Sequence, residues 1–179
     1  MSDKGFTLFD TTIGPCGIGW GRRGITGVEL PETAESQTRE RLRRRFQHLP
    51  ETAPPPDVQY VLHAIAALLY GKTSDLSKIE LDMTGVPPFN RRVYEIARTI
   101  PSGTTLTYDE IAARLGETTA ARAVGQALGR NPFAIIVPCH RVLAAGGKLG
   151  GFSAHDGTKL KRRLLAIEGA LIDAPTLFD

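Results

Sequence analysis

Apolar and polar positions change period several times along the chain, and each change marks an element. Between residues 6 and 30, Phe6 and Leu8 alternate around Thr7, and Ile13, Ile18, Ile25 and Val28 continue the apolar set among frequent glycines. Alternation broken by turn residues predicts a β-meander, with a hairpin turn at Arg22-Arg23-Gly24. Residues 33–47 take up helical spacing with charge on most faces. Arg41, Arg43, Arg44 and Arg45 gather toward the end, where basic side chains suit the helix dipole. Such a run reads first as a solvated face. Pro50 through Pro56 is a proline-rich linker. Asp57 is placed to cap a helix through Tyr70, ended by Gly71, with Val58, Val61, Leu62, Ile65, Leu68 and Leu69 at helical spacing. His63 on that apolar stretch reads as a core histidine.

Ile79-Glu80-Leu81-Asp82-Met83 alternates as a short strand, and Gly85 through Pro88 break the pattern. The chain is therefore expected to divide into an N-terminal α/β structural domain over 1–85 and a C-terminal domain over 86–179. Beyond the break, Phe89–Ile100 predicts a helix stopped by Pro101-Ser102-Gly103. Thr107 caps a short helix over Tyr108–Leu115, and Thr118 or Thr119 caps a third through about Gly129. Helix, glycine-containing turn, helix is the spacing of a helix-turn-helix, whose second helix can enter a nucleic-acid groove. On that second helix Arg122 and Gln126 are the candidates for the exposed face, with Arg130 just beyond its end. Ala120, Ala121, Ala123, Gly125 and Ala127 surround them, small enough for close approach to a surface. No acidic side chain occurs between Thr118 and Asn131.

Charge agrees with that picture without deciding it. The formal net charge is +3, and residues 86–179 hold 12 Lys and Arg against 8 Asp and Glu, whereas the first 85 hold 10 against 11. The excess lies with the helix-turn-helix, a mild indication of a polyanionic partner. No apolar run approaches the length that spans a bilayer, and Met1-Ser2-Asp3-Lys4 lacks the basic-then-apolar pattern of a secretory leader. No membrane association is expected. The expected location is cytoplasmic, with the nucleoid as the site of action in a bacterial cell.

Cysteine arithmetic narrows the chemistry. Cys16 and Cys139 are the only two, too few for a metal quartet, and His48 and His63 make no convincing set with Cys16. Neither a metal nor a cofactor is expected. Cys16 lies in the strand-like stretch and reads as a small buried hydrophobe. Cys139 follows the apolar β-type run Phe133–Val137 and sits in Pro138-Cys139-His140-Arg141. On a continuing strand Cys139 and His140 would face opposite ways, whereas a turn at Pro138 lets them cooperate. A thiol attacks as thiolate, and a nearby imidazole can take its proton. Glu168, closing the apolar helical stretch Leu164-Leu165-Ala166-Ile167, is the candidate to orient that imidazole. The electrophile matters as well. An acyl-cysteine is released by water, but an alkyl-cysteine is a thioether that no side chain cleaves, so a protein alkylated there is consumed.

The run Asn131-Pro132-Phe133-Ala134-Ile135-Ile136-Val137-Pro138-Cys139-His140-Arg141-Val142 closely resembles the O6-alkylguanine-DNA alkyltransferases, the methylated-DNA–protein-cysteine methyltransferases. So do Ile100-Pro101-Ser102-Gly103 with Thr107-Tyr108, and Ala121-Arg122-Ala123-Val124-Gly125. The resemblance is strong from about Pro88 to Gly169. Over residues 1–85 it is limited to Ile13-Gly14-Pro15. It implies an α+β fold: a small β-meander, ribonuclease-H-like N-terminal domain packed on a helical, winged-helix-like C-terminal domain with the helix-turn-helix.

The resemblance also implies roles. Cys139 accepts the alkyl group, with His140 as base through a bridging water and Glu168 orienting it, while Asn131 holds the turn before the cysteine. Arg122 enters double-stranded DNA from the minor groove and fills the space of a flipped-out guanine. Ala121, Ala123, Gly125 and Gln126 share that DNA-facing helix. Tyr108 presses on the 3′ phosphate and donates a proton to N3 of the departing guanine. Carbonyls of Cys139 and Val142 read the exocyclic amine, and the Ser153 N–H reads the alkylated oxygen. Phe152, where many relatives carry tyrosine, and His155 in the loop 150–157 border the alkyl pocket. The implied substrate is O6-alkylguanine in duplex DNA, with O4-alkylthymine as a further one, and the implied state is a monomer. Three rival readings stand beside it: a non-catalytic alkyltransferase-like lesion binder, a multiple-turnover cysteine hydrolase, and a winged-helix regulator with an inert cysteine. The presence of Cys139 argues against the first.

Overall fold

The computed structural model describes residues 3–170. They form a mixed α/β protein with one small antiparallel sheet, several helices and a short parallel strand pair. The chain divides into two compact units. One holds the described residues of Met1–Pro87 together with Asn131–Val137, the other those of Pro88–Arg130 and Pro138–Asp179.

In the N-terminal unit β1 (Gly5–Phe9), β2 (Cys16–Gly21) and β3 (Gly24–Glu29) make the meander, in the order β1-β2-β3. Arg22-Arg23 is the two-residue turn, and a bulge at Gly19/Trp20 shifts the β2–β3 register. Helix α1 (Glu35–Arg45) packs on β2 through Leu42. A Cβ at Gly17 would lie 2.3 Å from the Leu42 side chain, so glycine is what lets helix and strand approach. Phe6, Leu42 and Phe46 form the core there, the two rings stacked with centroids 5.8 Å apart. Arg43 and Arg44 of α1 are solvent-exposed as expected, while Arg41 and Arg45 are partly buried. Arg41 pairs with Glu29 and Glu32, Arg43 with Glu51, and Arg45 with Glu29, because acidic side chains of β3 and the following loops face that helix.

Helix α2 (Pro56–Leu69) buries Val58, Val61, Ile65, Leu68 and Leu69. Its cap is Pro55 rather than Asp57: Pro56 supplies the first helical residue, where a missing N–H costs nothing, and Asp57 follows inside the first turn. His63 is exposed, not in the core, since its position falls outside the stripe defined by Val61, Ile65 and Leu68. The strand expected at 79–83 is reduced to one parallel bridge, Leu81 to Ile25, bounded by the bonds Ile25 N–H to Glu80 O and Asp82 N–H to Ile25 O.

The run Phe133–Val137 is not a continuous strand either. Phe133 bridges to Val28, and the chain then turns through Ile135 at a φ of +70°. A β-branched residue there is strained by roughly 1–3 kcal/mol and persists only where neighbours dictate the turn. Asn131 supplies part of that constraint: its Oδ1 accepts from the Phe133 N–H at 2.8 Å and its Nδ2 donates to the Val137 carbonyl at 2.8 Å. Arg45 Nη2 donates to the Pro132 carbonyl at 2.7 Å. Gly27 leaves room for that guanidinium, which a Cβ would meet at 2.1 Å.

In the C-terminal unit α3 (Pro88–Ala97) precedes β4 (Leu106–Thr107), α4 (Tyr108–Arg114) and α5 (Ala121–Gly129). Thr107 caps α4, its Oγ1 accepting from the Glu110 N–H at 3.2 Å. Helix α5 starts later than the threonines suggest. Ala120 is its cap, with no side-chain bond, because Glu117–Ala120 closes a turn first. Helices α3, α4 and α5 meet over Val93, Ile111, Ala112, Val124 and Leu128, and Tyr94 Oη donates to the Ala127 carbonyl at 2.7 Å. A 3-10 turn (Cys139–Arg141) leads into β5 (Val142–Leu143), which runs parallel to β4, and α6 (Gly157–Ile167) follows. No helix among the described residues is long and apolar enough to cross a membrane.

Candidate active site

Cys139 and His140 stand side by side on the 3-10 turn rather than on a continuing strand. Pro138, with ψ of 65°, ends the extended path, and Cys139 and His140 then enter the turn. Cys139 stays half-buried and lines a cavity of about 470 Å³. His140 points the other way, into the interior, at 1% exposure. Its Nε2–H donates to Glu168 Oε1 at 2.8 Å. The carboxylate only accepts, so this bond sets the tautomer and leaves Nδ1 with the lone pair. That Nδ1 is buried with no hydrogen-bond partner in the structure.

Glu168 is the last residue of the α6 turn, its side chain 3% exposed. Burial alone would raise its carboxyl, but the hydrogen bonds and charges of His140 and Arg141 outweigh this and pull it down to about 2. His140 is lowered from its ordinary value chiefly by burial, with Arg141 and Lys161 opposing the imidazolium, against the raising effect of Glu168. At neutral pH the site therefore holds an ionised carboxylate and a neutral imidazole.

Of the residues expected from the sequence, Cys139, Tyr108, Ala121, Arg122, Gly125, Gln126, Phe152 and Ser153 line the cavity together, joined by Leu128, Gly129 and Gly151. Arg122 and Gln126 are exposed on α5. Tyr108 is half-buried, and its hydroxyl is raised by burial and by the Cys139 charge, so it carries its proton at neutral pH. Ser153 Oγ donates to the Gly129 carbonyl at 2.9 Å, which fastens the 150–157 loop to the end of α5. Ala123, Asn131 and Val142 are not lining residues. Asn131 straps the 131–137 turn, and Val142 is fully buried.

Two residues escaped sequence reasoning. Arg141 grips Glu168 with Nε and Nη2. Lys161 is fully buried, donating to the Val142 carbonyl at 2.6 Å and the Gly151 carbonyl at 3.4 Å, with its Nζ 6.0 Å from the Tyr108 ring. Burial depresses its ammonium to about 8, and the Cys139 charge works the other way. The signal was in the spacing: Lys161 falls three and four residues before Leu164 and Leu165, on the apolar stripe of α6.

Residues 88–170 match the DNA-binding domain of the 6-O-methylguanine DNA methyltransferases. The methylated-DNA–protein-cysteine methyltransferase of Mycobacterium bovis is 38% identical over 175 residues, covering 97% of this chain and 98% of that protein. The chain belongs to the methylated-DNA–protein-cysteine methyltransferases. The enzyme of that name from Methanothermobacter thermautotrophicus is 36% identical over 88% of this chain and 81% of its own length. Among solved structures, Mycobacterium tuberculosis OGT in complex with DNA is similar with a TM-score of 0.71 and 36% identity, covering 92% of each chain. Membership makes the chain a DNA-binding repair enzyme that transfers an alkyl group to a cysteine of its own.

Proposed function

We propose that the accepting residue is Cys139 and that the substrate is O6-alkylguanine, with O4-alkylthymine as a further one, flipped out of duplex DNA from the minor groove. The observation that carries this reading is the shared cavity. One wall is α5, with Arg122 and Gln126 among small residues, and the thiol lines the same space. The alkylated oxygen is paired within the duplex, so extrusion comes first, at a cost of about a few kcal/mol. Arg122 fills the gap left in the stack, and Ala121, Ala123 and Gly125 permit the close approach.

The Cys139 thiol proton then passes through a bridging water to His140 Nδ1, whose other nitrogen is engaged with Glu168. Sγ attacks the alkyl carbon, the carbon–oxygen bond breaks, and its electron pair stays on the guanine. The base takes the Tyr108 hydroxyl proton at N3, and the tyrosinate is reprotonated by way of solvent as His140 gives up its own. The Cys139 carbonyl and the Ser153 N–H read the base edge, Phe152 borders the alkyl group, and Asn131 holds the preceding turn, while the buried Val142 carbonyl is engaged by Lys161. The product thioether has no carbonyl for water to attack, so each molecule reacts once.

In the finer fold reading, the N-terminal unit is ribonuclease-H-like and the C-terminal unit winged-helix-like, with α4 and α5 as the helix-turn-helix and the domain division near residue 85. The protein acts as a monomer in the cytoplasm. Incubation with a duplex bearing O6-methylguanine, followed by intact-mass measurement, should show one added methyl on Cys139, saturating at one equivalent. Tight binding with unchanged mass would instead indicate a non-catalytic lesion binder, and continuous turnover of an ester or amide a hydrolase.

A further inference from the structure

Glu168 is held from two sides. His140 Nε2 lies 2.8 Å from Oε1, and Arg141 Nη2 lies 2.7 Å from the same oxygen. Arg141 Nε spans both oxygens, at 3.0 Å from Oε2 and 3.2 Å from Oε1. The remaining guanidinium nitrogen, Nη1, donates to the buried Ile100 carbonyl at 2.7 Å. A planar fork tied through all three nitrogens has one orientation, and it imposes that orientation on the carboxylate.

We propose that Arg141 is a positioning residue for alkyl transfer, supplying the counter-charge of Glu168 so that His140 rests as a neutral imidazole with Nδ1 available for the Cys139 proton. The inference rests on the roles of Cys139 and His140 given above. Its physical basis is charge balance in a desolvated site. A buried carboxylate requires a positive partner, and breaking a buried pair leaves the surviving charge uncompensated. With Arg141 present, the Arg141–Glu168 pair is neutral as a unit and burial keeps the imidazole uncharged. Without the guanidinium, the hydrogen-bonded group able to restore balance is His140 itself. Nδ1 would then already carry a proton and could not accept another. Lys161 of α6 also faces this turn and opposes the imidazolium, acting in the same direction as Arg141. Tyr108 and Tyr94 are further titratable groups that feel the Cys139 charge.

The test follows alkylation of Cys139 by free O6-benzylguanine across the acid and neutral pH range, read by intact mass. In Arg141→Met the acid limb of the rate profile, where His140 takes up a proton, should move upward by about one pH unit or more. Arg141→Lys keeps the charge and should leave the limb near its original place. Adding Glu168→Gln to Arg141→Met removes the unbalanced charge and should bring the limb back, whatever the absolute rate. A uniform loss of rate with an unmoved limb would mean that Arg141 serves structure only, and the proposal fails. A second measurement needs no Arg141 variant: ¹⁵N spectra of the His140 ring in full-length Cys139→Ser. A neutral Nε2–H tautomer at neutral pH is the required result, and an imidazolium overturns the proposal. The charge state of His140 is read there without any transfer, so failure of the alkyl-acceptor reading, seen as wild-type protein gaining no mass, is a separate outcome.

Discussion

Cys16 and Cys139 are the same side chain placed in two regions that treat it oppositely. Cys16 opens β2, pairs across to Phe9 and has no exposed surface. Burial pushes its thiol up to about 12, against a weak contact with Thr11 Oγ1 at 3.6 Å. Cys139 stands on a single 3-10 turn at the edge of a cavity, with His140, Glu168, Arg141 and Lys161 beneath it. The sheet excludes water and provides no base, so its cysteine is a hydrophobe. The turn leaves its cysteine half-buried at the cavity while burying the neighbouring imidazole. Reactivity here is a property of the backbone path and its neighbours, since the thiol itself is common to both sites.

The largest effect that would break this contrast is exchange of the two cysteines' behaviour. Cys139→Ser should abolish methyl uptake in the mass assay. Cys16→Ala should leave uptake at one equivalent and cost only about 1–2 kcal/mol of stability, measured by denaturant unfolding. Methyl uptake by Cys139→Ser protein would show that the two regions are not so different. A smaller effect separates the cavity's chemistry from its presentation of DNA. Arg122→Ala should slow repair in duplex DNA by about tenfold or more, since the flipped state loses its wedge. Reaction with free O6-benzylguanine should scarcely change, and equal slowing of both would remove Arg122 from that role.

A third effect is on stability against acid. The Glu168 carboxyl lies below its ordinary value of 4.5 in the folded chain, at about 2. Protons therefore bind the unfolded chain more readily, and the stability Glu168 contributes is complete above pH 4.5 and is lost as the pH falls toward 2. Glu168→Gln should flatten that part of the stability profile in thermal melts. An unchanged slope would show that the buried network under Cys139 adds no more acid sensitivity than the sheet around Cys16.

Much of this was legible in the sequence where one periodicity or one local device decides the outcome. The β-meander, the arginine turn at 22–23, the Thr107 cap and the apolar stripe of α2 all depend on residues within a few positions of each other. Glu168 stands out as a carboxylate closing the apolar stretch Leu164-Leu165-Ala166-Ile167, and in the fold it accepts the His140 hydrogen bond. The readings that changed are those in which distant chain competes for the same backbone. Residues 79–83 alternate like a strand, but Ile25 offers them a single bridge. Phe133–Val137 is apolar enough for a strand, yet Asn131 takes the Val137 carbonyl, Arg45 holds the Pro132 carbonyl just before the run, and the chain turns through Ile135.

What the sequence determined by itself, then, is the local frame: the meander, the helices on either side of the turn at 115–120, and the Pro-Cys-His-Arg run to which the proposed chemistry is assigned. Tertiary structure decided which charges are buried together. Arg141 and Lys161 look like ordinary members of basic segments, and only the packing of α6 against the 3-10 turn withdraws both from water, Arg141 onto the Glu168 carboxylate and Lys161 onto the Val142 carbonyl. Periodicity reports which face of a helix is apolar. It does not report what lies across from that face, and the desolvation that gives a buried charge its force depends on the whole surrounding shell.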